Sequence, residues 1–388
     1  METIARKIST SHFLLMFGYK LFSLYFPLFL VWKGLSLTQV GYTYLFIYLP
    51  MAAFSPIAGF ICSRTDEKIL VVIGICGYFI YSLGMILNVG LAVFYFFQII
   101  LGISAALFFV ACRSLMVALA ERPKESFAWF YSMPTYVQFA APAIGAIIIW
   151  QFNFIAVFIL SFGVHLINIV YSFIAFKNIN SAAINQSESF SKIKSDYFYI
   201  FKKIKNKEVL LLLFLVFFTL ILAGFYRAFF VLYLKEQLDW TQNNVLFFVS
   251  LVSVAFVPIS WKVIRLIESQ MSRTNVLQGS FFKAVVTIML GLGYKYLSFL
   301  PLFILKLTER ISFLMIGSGR SGYFAQKFRK YPEEISTIDS AIVPLGVAIG
   351  SLLGGFLLAF LSFAEIFQWS GIILFIATIT IWFFSRRK

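Results

Sequence analysis

The sequence predicts an all-α polytopic membrane protein with twelve transmembrane helices arranged as two six-helix halves. Hydrophobic residues make up 61% of the 388 residues and charged residues only 12%, far from the composition of soluble domains. Apolar runs of about 20 residues, long enough to cross a bilayer core, occur twelve times. The predicted spans, numbered 1 to 12, are 11–32, 41–61, 69–89, 91–118, 127–150, 153–176, 209–234, 243–264, 274–293, 297–318, 337–361 and 364–384.

Lysine and arginine are concentrated in alternate loops between the predicted spans. Of the 32 basic residues, 23 fall in the terminal segments and the loops on one side, and three fall in the loops on the other side. Loops rich in Lys and Arg remain in the cytoplasm. We therefore expect a multi-pass protein of the cytoplasmic membrane with both termini in the cytoplasm. This topology accounts for the basic charge, which does not indicate nucleic-acid binding. The first span lacks an A-x-A cleavage site and stays apolar past Val31, so we expect it to remain uncleaved. We also expect a monomer.

One long polar stretch separates the two halves. It predicts an N-terminal six-helix bundle at 1–176, a cytoplasmic linker at 177–208 and a C-terminal six-helix bundle at 209–388. Within the linker, apolar residues recur at helical spacing from Ile193 to Ile204 with lysines on the other face. This pattern predicts a basic amphipathic helix on the anionic membrane surface, and a calmodulin-like target helix is the alternative.

The loop between spans 2 and 3 carries a basic motif. Its sequence, GFICSRTDEK from Gly59 to Lys68, resembles the G-x-x-x-D-R-x-G-R-K loop of the major facilitator superfamily. The matching residues are Gly59, Arg64 and Lys68. Ser63 stands where the superfamily has an acidic residue, Asp66 where it has the second glycine and Glu67 where it has the second arginine. The resemblance implies a gating loop whose basic residues hold one conformation at a helix end. This loop would thus act as a latch for that conformation. Without the acid, we expect the latch to be weaker or to use other contacts.

Span 5 contains a second motif of the same superfamily. Pro142 and Gly145 lie in the segment AAPAIGA, which resembles the helix motif G-P-x-x-G-G. With the twelve spans, the two halves and the basic linker, the resemblance covers essentially the whole chain. The protein is therefore identified as a member of the superfamily. Membership implies a secondary transporter that works by alternating access, with spans 1, 4, 7 and 10 around a central cavity.

Span 11 carries a stripe of glycines at intervals of four residues, namely Gly346, Gly350 and Gly354. Small residues on one face allow membrane helices to approach closely. We therefore predict that this stripe, like Pro142 and Gly145 in span 5, serves helix packing.

Charged residues within the spans are concentrated on the helices that the resemblance places around the cavity. In span 10, Lys306, Glu309 and Arg310 fall within about 100° of one another around the helix. The basic residues of spans 1, 4 and 7 are Lys20, Arg113 and Arg227. Five unpaired cations in lipid would cost about 12–17 kcal/mol, and Glu309 neutralises only one. We therefore predict that all five basic residues bind a small anionic substrate, such as an organophosphate, a carboxylate or a lipid headgroup.

Glu309 is the only acid deep within a predicted span, which makes it the candidate for proton coupling. A uniporter or an anion exchanger needs no such residue. Alternatively, Lys306 and Glu309, which are three residues apart, form a purely structural ion pair. The alternative role for Arg113 is a structural contact with helix ends. Lys283 in span 9 and His165 in span 6 are predicted to be structural or to extend toward the membrane surface.

Other functional classes find little support. The sequence has no P-loop, G-x-S-x-G or H-E-x-x-H motif, which argues against an enzyme and against ATP-driven transport. Its three cysteines lack the spacing of metal or redox sites, so neither a metal nor a cofactor is expected. Two alternatives remain. One is an efflux pump for drugs or amphipathic lipids, favoured by the span-5 motif and the many phenylalanines, and the other is a non-transporting receptor with the same fold.

Overall fold

The computed structural model describes residues 3–62, 64–87, 89–119, 123–177, 207–327 and 332–386. Within these ranges the regular structure is helical throughout. The α-helices are Thr3–Lys20, Phe26–Trp32, Leu37–Cys62, Glu67–Ile86, Leu91–Leu119, Pro123–Gln151, Phe154–Phe176, Lys207–Leu232, Gln242–Glu268, Ser272–Leu292, Phe299–Lys327, Pro332–Leu357 and Phe363–Arg386. A π-helical turn, Tyr233–Gln237, extends span 7, and a 3-10 turn, Tyr294–Tyr296, precedes span 10. The predicted amphipathic helix of the linker lies outside the described residues.

Nine helices of the described chain are long and apolar enough to cross a membrane, and they correspond to spans 2, 3, 4, 6, 7, 8, 9, 11 and 12. The other three predicted spans are helical as well. Span 1 is split into two helices. Span 5 is the helix Pro123–Gln151, which contains the apolar segment Tyr136–Gln151. Span 10, Phe299–Lys327, carries charged residues along its length. The helices therefore follow the predicted spans in order, with span 1 in two pieces.

Span 1 is interrupted, although the sequence predicted one continuous helix. Its two helices are separated by a turn at 21–25, in which the Tyr25 N–H donates to the Phe22 carbonyl at 2.8 Å. Pro27 lies in the first turn of the second helix. Because proline lacks an N–H group and collides with the carbonyl four residues earlier, it ends the first helix and starts the second. The first helix therefore ends within the span, at Lys20.

The chain forms two compact units. Among the described residues, one unit contains 3–33, those between 43 and 177, and 249–254, and the other contains 34–42, 207–248 and those between 255 and 386. The division into two six-helix bundles with a linker between them stays a prediction, since most of that linker lies outside the described residues.

In the first unit, the span-5 motif lies against the interruption of span 1. The Tyr25 hydroxyl, in the turn, donates to the carbonyl of Pro142 at 3.0 Å. A methyl group added at Gly145 would overlap the backbone carbonyl of Leu21. The absence of a side chain at Gly145 therefore lets span 5 approach the turn closely enough for this hydrogen bond to form.

In the second unit, the glycine stripe of span 11 lies against span 7. A methyl group added at Gly350 would overlap the carbonyl oxygen of Ile221, and one at Gly354 would overlap the ring of Phe225. A methyl group added at Gly346 would overlap the β-carbon of Leu220 on the same helix. The stripe thus has the close contact that its predicted packing role requires.

Candidate functional site

The charged face of span 10 is largely buried within its own unit. The ammonium group of Lys306 donates a hydrogen bond to Oε2 of Glu309 at 2.9 Å. The side chain of Lys306 is 12% exposed and that of Glu309 is 8% exposed. Residues three apart lie one above the other on a helix, so their spacing places the two groups in contact.

A second lysine reaches the same carboxylate from span 9. The Nζ atom of Lys283 lies 3.7 Å from Oε1 of Glu309, and the Lys283 side chain is fully buried. Close packing between the two spans makes this possible, since Gly279 of span 9 leaves no room for a side chain beside Met315 of span 10. Lys283 therefore does not extend toward the membrane surface, and that interpretation of it is wrong. His165 of span 6 is likewise fully buried.

Lys283, Glu309 and Lys306, hereafter the charge cluster, are bordered by aromatic rings. The Lys306 Nζ atom lies 3.9 Å from the ring centre of Phe230 and 4.9 Å from that of Tyr226. The Lys283 Nζ atom lies 5.3 Å from the ring centre of Tyr226. Aromatic faces attract cations, so these rings stabilise both ammonium groups where water is scarce.

A hydrogen-bond chain fixes the ring that the two lysines share. The hydroxyl of Thr287 donates to the Lys283 carbonyl at 2.6 Å. The hydroxyl of Tyr226 lies 2.9 Å from the same Thr287 oxygen. Because the Thr287 proton is already used, Tyr226 is the donor in this second bond. Tyr226 of span 7 is thereby tied to span 9, directly beside the charge cluster.

The charge cluster carries one more positive than negative charge. Two ammonium groups share a single carboxylate, and Arg310, partly buried, follows Glu309 on the same helix. Buried charges without partners are costly, whereas paired ones with hydrogen bonds are tolerated. The cluster can therefore accept one further negative group. In the part of the chain that the structure describes, no group of three or more His, Cys, Asp or Glu side chains is placed to hold a metal ion.

The remaining predicted substrate-binding residues are distributed over both units. Arg227, which follows Tyr226 in span 7, is exposed and belongs to the same unit as the charge cluster. Lys20, at the end of the first helix of span 1, and Arg113 in span 4 are partly buried and belong to the other unit. Of the predicted site residues, Lys306 and Glu309 contact each other in the structure. The substrate-binding and proton-coupling functions assigned to all of these residues stay predictions.

The loop motif between spans 2 and 3 is held by local contacts. Gly59 has open space around its α-carbon. The guanidinium carbon of Arg64 lies 3.9 Å from the ring centre of Phe60. Asp66 accepts a hydrogen bond from the Lys68 backbone N–H at 3.1 Å, and its other oxygen lies 3.1 Å from the Lys68 ammonium group. Asp66, which departs from the superfamily pattern, thus caps span 3 and pairs with Lys68.

Glu67, the other acidic departure from that pattern, is also in structural use. It is 1% exposed and accepts a hydrogen bond from the Ser114 hydroxyl of span 4 at 3.2 Å. The loop thus carries its negative charge at Asp66 and Glu67, a few residues after the position of the superfamily's acid. The predicted latch function of Gly59, Arg64 and Lys68 stays a proposal.

The sequence over residues 8–338 matches the family model described as Major Facilitator Superfamily. The chain belongs to the major facilitator superfamily. It is therefore a secondary transporter of a small molecule and not an enzyme, as the sequence predicted. The multi-pass membrane location is confirmed as well. The particular membrane and the cytoplasmic placement of both termini stay predictions.

Solved structures confirm the superfamily fold. A POT family transporter in complex with a thioalcohol-conjugated peptide has a TM-score of 0.77 at 14% identity, covering 99% of this chain and 95% of that one. A mutant of the peptide transporter POT in complex with alafosfalin has a TM-score of 0.77 at 13% identity, covering 99% and 94%. No curated protein is significantly similar to this chain in sequence. The all-helical transporter fold predicted from the sequence is thus confirmed over nearly the whole chain.

Proposed function

We propose that this transporter moves a small solute that carries a negatively charged group. The observation that supports the proposal best is the charge cluster, in which two buried ammonium groups share the carboxylate of Glu309. A bound phosphate or carboxylate would supply the missing negative charge. Lys306, with its partly exposed side chain, is the proposed principal ligand. The further basic ligands in this proposal are Arg310, Arg227, Lys20 and Arg113.

The energetics favour an anion over a neutral solute. On insertion scales a charged residue in the membrane centre costs roughly 2.5–3.5 kcal/mol. The charge cluster has one positive charge without a negative partner. A bound anion would offset the cost of burying that charge, whereas a neutral solute would not. Charge-assisted hydrogen bonds to ammonium groups are about twice as strong as neutral ones, so an anion gains most from this site.

The solved structures with the same fold widen the range of solutes worth testing. One of them holds a thioalcohol-conjugated peptide, and another is described as a peptide transporter in complex with alafosfalin. A peptide ends in a carboxylate and therefore satisfies the same requirement for a negative group. At 13–14% identity these structures support the fold alone, so a dipeptide belongs in the panel beside phosphorylated and carboxylated solutes.

Thermal unfolding of the detergent-purified protein tests the proposal. The panel comprises inorganic phosphate, glucose 6-phosphate, succinate, dialanine, lysophosphatidylglycerol, neutral glucose and the lipophilic cation tetraphenylphosphonium, all at matched ionic strength. A ligand at 100 times its dissociation constant stabilises the folded state by about 2.7 kcal/mol. We expect stabilisation by at least one anion and none by glucose. Lysophosphatidylglycerol as the only stabiliser identifies a lipid headgroup, whereas stabilisation by the lipophilic cation alone overturns the proposal in favour of drug efflux.

Proton coupling through Glu309 is a separate part of the proposal. If Glu309 carries the coupling proton, Glu309→Gln removes the response of uptake to an imposed pH gradient, because the side chain no longer binds and releases a proton. Exchange of internal for external substrate, which needs no net proton movement, should continue. Proteoliposomes with and without a pH gradient provide the measurement. A variant that still responds to the gradient contradicts the assignment and leaves Glu309 as the counter-charge of the two lysines.

A further inference from the structure

The two lysines of the charge cluster contact Glu309 differently. Lys306 donates a hydrogen bond to Oε2 at 2.9 Å, whereas Lys283 lies 3.7 Å from Oε1, an ion-pair distance beyond that of a hydrogen bond. The carboxylate thus offers one oxygen to each ammonium group. Either lysine is able to neutralise Glu309 without the other.

Lys283 is the fixed member of the cluster. Its side chain is 0% exposed, and its ammonium group lies between the rings of Tyr226 and Phe313, at 5.3 and 5.6 Å from their centres. Its carbonyl accepts the hydrogen bond from Thr287, and Thr287 is bonded to Tyr226 in turn. These contacts come from three different spans. Burial and the two rings confine the Lys283 ammonium group beside Glu309, and the hydrogen bond to Thr287 holds the Tyr226 ring in place.

Lys306 is the member that is free to change partner. Its side chain is 12% exposed, whereas that of Lys283 is fully buried. A lysine ammonium group is a compact charge on a flexible four-carbon stem, so small rotations move it by several ångströms. Its contacts are the hydrogen bond to Glu309 and the faces of Phe230 and Tyr226. An incoming anion competes with Glu309 for this ammonium group.

We propose that Lys283 is a positioning residue that keeps Glu309 neutralised while Lys306 exchanges Glu309 for the anionic group of the substrate. This inference rests on the proposed function. Without substrate, Glu309 is a resident anion that occupies Lys306. With substrate, the cluster separates into two ion pairs, Lys283 with Glu309 and Lys306 with the substrate. Every charged group of the cluster has an opposite partner in both states, which avoids a buried charge left alone.

Three variants separate this exchange from a purely structural role. Lys283→Met removes the ammonium group, so a substrate that takes Lys306 leaves Glu309 alone, and anion affinity should fall about tenfold or more. Glu309→Gln removes the resident competitor, so affinity should rise about fivefold. The double variant Lys283→Met with Glu309→Gln removes the need for Lys283, so affinity should return to within about threefold of the wild type.

Binding is measured by thermal-shift titration with inorganic phosphate, glucose 6-phosphate and succinate against sodium chloride of equal ionic strength. Lys262→Met, an exposed lysine of span 8, is the matched control and should bind as the wild type does. In proteoliposomes Glu309→Gln should lower KM, because the substrate no longer competes with a carboxylate for Lys306. It should also lower kcat, because no carboxylate displaces the substrate from Lys306 during release. A structural role for the ion pairs predicts neither the tighter binding nor the lower KM.

Recovery of affinity in the double variant supports the exchange. A double variant that binds as weakly as Lys283→Met overturns the inference while leaving an anion transporter intact. Equal affinities for the wild type and Lys283→Met overturn it as well. A wild type that binds none of the three probes overturns the proposed function and this inference together. If Lys283→Met fails to fold, Glu309→Gln still tests the inference. Unchanged or weaker anion binding in that variant contradicts the proposal that Glu309 competes with the substrate for Lys306.

Discussion

Replacing Lys306 by glutamine should lower uptake of an anionic substrate about 100-fold. This factor corresponds to about 2.7 kcal/mol, within the range for a lost hydrogen bond to a charged group. The variant should remain folded, because Glu309 keeps its second partner, Lys283, at 3.7 Å. The measurement is initial uptake of glucose 6-phosphate or succinate into proteoliposomes, at equal amounts of incorporated protein.

Lys295→Gln is the matched control for this prediction. Lys295 is exposed in the turn before span 10, so the same change of charge occurs outside the charge cluster, and uptake should stay near the wild-type rate. Lys306→Arg keeps the charge but enlarges the group, so it should retain part of the activity. Uptake by Lys306→Gln at the wild-type rate would show that this lysine does not bind the substrate.

The spans were predictable because hydropathy sums over about 20 residues and tolerates errors at single positions. The same averaging hides local events. The interruption of span 1 at 21–25 depends on one proline, and proline is tolerated in many membrane helices. Its position was therefore visible in the sequence, but its effect was not. The contacts of the turn with Gly145 and Pro142 of span 5, which accompany the break, depend on tertiary packing and are not encoded in the spacing of span 1.

In the charge cluster, one contact was predictable from local sequence spacing, whereas another depends on tertiary packing. The contact of Lys306 with Glu309 follows from a spacing of three residues on one helix. The contribution of Lys283 depends on how spans 9 and 10 pack, and no sequence spacing encodes this. One signal was available. A lysine deep in a span requires a counter-charge, and Glu309 was the only acid found at comparable depth.

The aromatic rings of the site were the least predictable part. Phenylalanine and tyrosine are common throughout the spans, so Tyr226 and Phe230 had no distinguishing feature in the sequence. Their role depends on distances of 3.9 to 5.3 Å between ring centres and ammonium groups. Conversely, Asp66 and Glu67, which counted as departures from a motif, have defined contacts with Lys68 and Ser114. The chemistry of a loop is thus better conveyed by its contacts than by its match to a pattern.

Replacing Gly350 by leucine should prevent stable folding of the second unit. The first side-chain carbon would overlap the carbonyl oxygen of Ile221, and that atom belongs to the backbone of span 7. A backbone carbonyl within a helix cannot rotate away as a flexible side chain does, so the two helices must separate. Overpacking typically costs about 1–3 kcal/mol, and a backbone collision should reach about 3 kcal/mol or more. Thermal unfolding and size-exclusion chromatography of the detergent-purified variant provide the measurement.

Gly317→Leu in span 10 is the control that isolates the collision. A methyl group added at Gly317 meets no atom within 4 Å, so leucine there should change stability by only about 0.5 kcal/mol. Both variants add the same side chain to a helical glycine, and they differ in what that side chain meets. Equal stability of the two variants would contradict the packing role of the stripe. A loss confined to Gly350→Leu would instead show that the glycines of span 11 determine how closely it approaches span 7, the helix that carries Tyr226 and Phe230 to the charge cluster.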